Sequence, residues 1–175
     1  MQRNPQRTST LCAEHNFQRD PQGRHLTLRP VTRQELIDYA ATLLCSDLLD
    51  RPAVKSSQDA MSFLRMRLCH EERELFGTLF LDHKHRAITF EVLFMGTLDF
   101  TAVHPREIAR RALVLNAASV ILAHNHPSGD PEPSDSDLKM TRRIRDALAL
   151  VDVHVLDHVV LGHLGNVSMA DRGLL

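Results

Sequence analysis

What this 175-residue chain has little of narrows its function before any motif is read. Aromatic residues make up only 5% of it, and the formal net charge is −1. No cluster of Lys and Arg is interleaved with aromatics, so the usual surface for single-stranded nucleic acid is missing. No global basic field would draw in a polyanion either. The three cysteines, Cys12, Cys45 and Cys69, are widely separated and odd in number, and none belongs to a C-x-x-C pair. That argues against a disulfide framework and fits a reducing, cytoplasmic setting. No Cys follows Cys69, which removes the P-C-x-x-C half of a zinc nucleobase deaminase. No apolar stretch approaches the roughly 18–20 residues needed to span a bilayer. The N-terminus is polar and basic, without the apolar segment of a signal peptide. There is no internal repeat and no low-complexity tract.

What is present is ordinary for a globular chain: 43% hydrophobic and 25% charged residues, long enough for one good core. The eleven histidines stand out. His70, His83, His85, His104 and His163 fall in expected turns and loops, where surface or structural roles are the default. His124 and His126 differ. They follow the apolar run Val120-Ile121-Leu122-Ala123, and side chains on extended backbone alternate, so both imidazoles face the same side and can reach one ion. Pro127, Gly129, Pro131 and Pro133 then force a loop that lets the chain turn back.

Ser134-x-x-Asp137 has the form of a capping box opening a helix to about Leu150. On that helix Asp137, Thr141, Ile144 and Leu148 share one face. A carboxylate on an inward face needs a partner, because a buried charge is costly unless paired or metal-bound. His124, His126 and Asp137 together form a three-ligand zinc set that leaves a fourth position for water. Taken separately, Asp137 reads only as a capping acid. The adjacent letters His-Asn-His do not make an HNH nuclease, whose residues are spread through a ββα element.

Along the rest of the chain, residues 1–25 read as a mobile polar tail. Residues 26–55 read as a helical extension: Thr32-x-x-Glu35 caps a helix to about Cys45, and Asp47 to Pro52 breaks it. A second helix starts near Ser56/Ser57 and buries Phe63, Leu64 and Leu68. The zinc domain spans 56–175. Glu74 to Leu81 and Ala87 to Met95 form an antiparallel hairpin with Ile88, Phe90, Val92 and Phe94 on one face. A helix starts at His104-Pro105. Ser119 to Ala123 is a buried central strand, whose C-terminal end is where open α/β sheets place their sites. Val153 to Leu161 is a further strand, and Asn166 to Met169 a last edge strand.

H-x-H, ten residues, then Asp, with Ser three before it, resembles the JAMM (MPN+) metalloprotease motif. The longer string HNHPSGDPEPS-x-x-D resembles the RadC group of bacterial JAB-domain proteins. LFLD at 79–82, GTLD at 96–99, HPRE at 104–107, LDHVVLG at 156–162 and the C-terminal GLL agree in order, so the likeness covers about residues 56–175. It implies a JAB/MPN (cytidine-deaminase-like) α/β/α sandwich with a mixed sheet and one catalytic Zn2+ per chain. Full-length members of the group carry a helix-hairpin-helix-like segment before this domain. No suitable Gly-containing turn lies between 46 and 56, so DNA binding does not carry over.

For catalysis the resemblance implies an upstream Glu as general base and the motif Ser as oxyanion donor. Glu74, in the context Glu-Leu-Phe-Gly, is the candidate base and Glu91 its rival. Ser134 is the candidate donor, with simple N-capping as the alternative. Two readings are open for His158: a group orienting a ligand, or a hydrogen-bonded structural histidine. Arg106 and Glu107 read as a structural ion pair or cap. The implied activity is a zinc-dependent metallopeptidase acting on a peptide or isopeptide. The alternatives are a zinc-bound, non-catalytic binding module and a DNA-associated protein, the latter without support from charge.

Overall fold

In a computed structural model, residues 16–22, 24–49, 57–96 and 103–175 are described. Of the break expected at Asp47 to Pro52, residues 47–49 are helical and 50–52 lie outside the described residues, as do Cys12 and most of GTLD. The described residues fall into two compact units, dividing at Ser46/Asp47.

In the first unit, residues 16–27 form a hairpin where a polar tail was expected. β1 (Phe17–Arg19) pairs antiparallel with β2 (His25–Thr27). The Asp20 carboxylate closes the turn, accepting from the Gln22 and Arg24 amides at 3.0 and 2.8 Å and from Arg24 Nε at 2.6 Å. Phe17 is buried and stacks on Tyr39, with ring centroids 3.8 Å apart. One aromatic and one turn acid suffice here, and average polarity hides both. Tyr39 belongs to α1 (Arg33–Leu49), which runs four residues past Cys45. Its start carries the expected reciprocal cap: Glu35 N donates to Thr32 Oγ1 at 3.2 Å, and Thr32 N to Glu35 Oε2 at 2.8 Å.

The second unit is built on one five-stranded sheet. Its strands are β3 (Leu75–Leu81), β4 (Ala87–Met95), β5 (Ser119–Asn125), β6 (His154–Gly162) and β7 (Gly165–Ser168), in the order β4-β3-β5-β6-β7. β5 and β6 are parallel, and the other neighbours are antiparallel, so the sheet is mixed. All residues of β3 and β5 are buried, as two-sided coverage of central strands requires. One face packs on α3 (Pro105–Leu115) and α4 (Asp135–Ala149), where Phe76, Phe80, Val120 and Leu122 meet Ile108, Ala112, Ile144 and Leu148. The other is covered by α2 (Ser57–Leu68), whose Phe63, Leu64 and Leu68 are buried. The second helix is therefore part of this α/β/α sandwich, and among the described helices α1 alone precedes it in sequence.

The hairpin departs from strict alternation. Register shifts fall between Phe76/Gly77 and Phe80/Leu81. Consequently Phe90 packs edge-on against Phe63 of α2, while Ile88, Leu93 and Phe94 pack on the α3–α4 core. A shift of one residue moves side chains to the opposite face, which a period-two reading cannot anticipate.

Beyond β5 the chain crosses the end of β6. His126 N donates to Leu161 O at 2.8 Å, and Leu164 N to Gly129 O at 3.1 Å. Gly129 has φ +92°, a conformation that favours glycine. Gly162 lies directly beneath: a Cβ there would sit 2.2 Å from Gly129 O and 2.8 Å from its carbonyl carbon. Both are backbone atoms, so the loop itself would have to move. Gly162→Ala is expected to cost about 1–3 kcal/mol, read as a fall of several degrees in the thermal midpoint.

Candidate metal centre

Strand alternation explains the delivery of the first donors. His124 continues the Val120/Leu122 row on the α3–α4 face, while Asn125 continues the Ile121/Ala123 row on the opposite face. His126, one residue past the strand, turns to the same side as His124. The two Nε2 atoms are 3.0 Å apart. Asp137, in the first turn of α4, brings Oδ1 to 3.4 Å from His124 Nε2 and Oδ2 to 3.6 Å from His126 Nε2. Donors held about 2.0–2.1 Å from a tetrahedral zinc stand about 3.3–3.4 Å from one another. The three separations bracket that edge length. These are the only three such side chains among the described residues whose donor atoms converge, all within 4.8 Å.

The protons of the cluster can be placed. His126 Nδ1 lies 2.8 Å from the Asp130 carbonyl, which can only accept, so Nδ1 carries hydrogen and, in the neutral ring, Nε2 is a lone pair. His124 Nδ1 lies 2.8 Å from His158 Nε2, and His158 Nδ1 lies 2.6 Å from Thr141 Oγ1. Lone pairs and a carboxylate facing one another in a buried pocket repel unless a cation sits among them. The donor set therefore fits a metal such as zinc, and a proton on His126 meets the same need less completely.

The ionisation preferences agree. Burial opposes charge on Asp137, but its polar contacts with His124, His126 and Ser134 overcome it and hold the carboxyl far below the usual carboxylate range. Hydrogen bonding to Asp137 raises the His126 imidazole against burial, with the Asp130 carbonyl and the charges of Asp137 and Glu74 adding to the effect. Burial first, and the neighbouring His124 second, push His158 well below its ordinary value, so this imidazole is neutral.

Ser134 is the N-cap of α4. Its Oγ accepts from Asp137 N at 3.2 Å and donates to Asp137 Oδ2 at 2.6 Å, and its backbone N donates to the same oxygen at 2.8 Å. The hydroxyl is thus both cap and partner of the carboxylate. Glu74 is half-buried just before β3, at the metal end of that strand, where Phe76 opposes His124. Its segment is clamped by Asn125, whose Oδ1 accepts from Leu75 N at 2.7 Å and whose Nδ2 donates to Glu71 O and Arg73 O at 3.2 and 2.9 Å. Glu74 O also accepts from Gly96 N at 2.8 Å. Glu91 lies elsewhere, opposite Thr78 in the sheet and paired with Arg111 of α3 through bonds of 2.5 and 2.6 Å. Arg106 and Glu107 lie 3.6 Å apart at the start of α3.

Three contributors escaped the sequence reading: Asn125 as a clamp, Thr141 as a partner of His158, and Asp157. The Asp157 carboxylate accepts from His158 N, Ser168 Oγ and Ala170 N at 2.7, 2.7 and 3.0 Å, tying β6 to the turn after β7. Their one common signal is a polar residue within an otherwise apolar row.

A family profile described as a RadC-like JAB domain matches residues 54–174. The chain belongs to that family. A UPF0758 protein of Azotobacter vinelandii is 50% identical over 142 residues, covering 81% of this chain and 63% of the relative. One from Thioalkalivibrio sulfidiphilus is 54% identical over the same shares. A UPF0758 protein of Vibrio cholerae is 45% identical over 155 residues, 89% of this chain and 98% of the relative. The chain thus spans less than two thirds of the length of the first two. The JAB superfamily contains metal-dependent hydrolases, and the RadC-like JAB domain described here holds a His-His-Asp cluster able to bind a metal ion. No helix among the described residues is long and apolar enough to cross a membrane.

Metal must displace the proton that His126 holds against Asp137. A raised imidazole pKa favours the protonated form, so zinc affinity should rise with pH by roughly tenfold per unit, one proton being released per ion. The rise should continue above the ordinary histidine value of about 6.5 and level off past the raised value. The zinc-free chain has the opposite sign. Stability from the charged His126–Asp137 pair is complete below the ordinary value and lost as pH rises through the raised one. Chelator competition and thermal unfolding across about pH 6 to 8 read the two slopes.

Proposed function

We propose that this domain is a zinc-dependent hydrolase of amide bonds, acting on a peptide or isopeptide. The observation that carries the reading is the convergence of His124 Nε2, His126 Nε2 and the Asp137 carboxylate, each imidazole facing one of its two oxygens, at separations near those a tetrahedral ion requires. Two imidazoles and one carboxylate leave one tetrahedral position open, the pattern of catalytic rather than structural zinc. Zinc, when bound there, supplies Lewis acidity that activates water and polarises a carbonyl.

The chain's own residues supply the rest. Glu74 takes the proton of the attacking water and passes it to the leaving amine; its half-buried place beside the cluster and its electrostatic reach to His126 support this role. Ser134, next to Asp137, donates to the developing oxyanion once its hydroxyl leaves Asp137 Oδ2. Glu91 is the weaker base, since Arg111 occupies both its oxygens.

One observation favours a second reading, a metal-bound binding module without catalysis: the Ser134 hydroxyl hydrogen is already committed to Asp137. A DNA-associated role has no such support, the net charge being −1.

Elemental analysis of untagged protein should find about one zinc per chain, as a single three-ligand site requires, and none in the His124→Ala/His126→Ala variant. With peptide and isopeptide substrates, Glu74→Gln should lower turnover by about 10²–10⁴-fold while keeping its zinc. Full activity in Glu74→Gln removes Glu74 from the mechanism. Zinc binding with no turnover on any such substrate favours the binding module.

A further inference from the structure

The buried pair His158 and Thr141 lies outside the ligand set, and neither touches the open side of the site. His158 is fully buried in β6, in a row of Val159, Val160 and Leu161, with the Phe76 ring edge-on at 5.5 Å. An imidazole in such a place is costly unless both nitrogens are bonded. Both are: Nε2 to His124 Nδ1 at 2.8 Å and Nδ1 to Thr141 Oγ1 at 2.6 Å.

The direction of these bonds is decided at the far end. Thr141 Oγ1 stands 2.6 Å from the backbone carbonyl oxygen of Asp137. Two oxygens this close need a hydrogen between them, and the carbonyl has none, so the hydroxyl donates. The Met169 sulfur at 3.6 Å is a weaker claimant on the same hydrogen. Thr141 Oγ1 must then accept from His158 Nδ1–H. His158 Nε2 is left without hydrogen and accepts from His124 Nδ1–H. One chain of donors thus runs from His124 through His158 and Thr141 to the main chain of Asp137. Its only consistent direction leaves the His124 Nε2 lone pair pointing at His126 and Asp137.

We propose that His158 and Thr141 are positioning residues for a metal ion, a one-way relay that fixes the tautomer and ring orientation of His124 and joins it to the backbone of Asp137. The relay couples donors from β5 and α4 through β6. This inference rests on the metal-binding part of the reading above and is independent of amide hydrolysis.

The test separates the two ring nitrogens. A Gln side chain places its amide near the position of His Nε2, and an Asn side chain near that of His Nδ1. His158→Gln can accept from His124 Nδ1–H, whereas His158→Asn keeps only the bond to Thr141. Zinc affinity by chelator competition should fall about 10–100-fold in His158→Asn and stay within a few-fold of the unmodified chain in His158→Gln. The visible absorption of the cobalt(II) form should change in Asn and be retained in Gln. Thr141→Val should weaken zinc binding and Thr141→Ser should not, which serves as the test if either His158 variant fails to fold. Thermal midpoints of the zinc-stripped proteins report merely structural damage. Equal zinc affinity in His158→Asn and the unmodified chain, or losses in Asn and Gln that simply track those midpoints, would overturn the relay while leaving the metal site standing. Absence of zinc binding by the unmodified chain would overturn both.

Discussion

Electrostatic frustration within one buried pocket governs this molecule. Two imidazole nitrogens and a carboxylate converge within hydrogen-bonding range, each held there by a bond on its other side, and need a proton or a metal ion among them. Such an arrangement is unfavourable in itself and persists because the scaffold leaves it no relaxed alternative. His126 is pinned by the Asp130 carbonyl, His124 by the buried relay, and Asp137 by the cap it forms with Ser134. A cation converts the repulsion into attraction, and the strength of the answer is set by how little the three donors can retreat.

The sheet supplies that rigidity. β5 is buried on both faces, so His124 leaves a strand that cannot rotate or slide without dragging the whole core. Period-two alternation divides the tripeptide between two tasks. His124 and His126 face the pocket, and Asn125 faces away and clamps the segment leading into Glu74. The tripeptide thus organises both the ligand cluster and the approach of an acid to it.

Much of this was legible in the sequence. The strand ending at the histidines, the helix opened by Ser134 and the inward face of Asp137 all follow from short-range rules of alternation, capping and helical spacing. The layered α/β fold was legible chiefly through motifs recurring in order. What stayed hidden depends on long-range pairing. The two register shifts that send Phe90 and Ile88 to opposite faces are properties of a strand pair, not of either strand. His158 gave a local hint as a histidine among valines, but its partner Thr141 lies seventeen positions earlier on another element. Glu91 stood as the rival of Glu74, and nothing local showed that Arg111, twenty positions away, pairs with it. The hairpin at 16–27 rests on Phe17 meeting Tyr39, which average polarity conceals.

The donors come from β5 and α4, and the relay threads β6 between them. An ion seated there would tie the end of β5 to the first turn of α4 across the intervening loop, in a geometry that only the folded sheet and helix supply. Mass action then governs persistence: above the dissociation constant, each tenfold rise in free metal adds about 1.4 kcal/mol to the folded state. With such an ion bound, the stability of the folded chain would depend on metal supply as well as on the core.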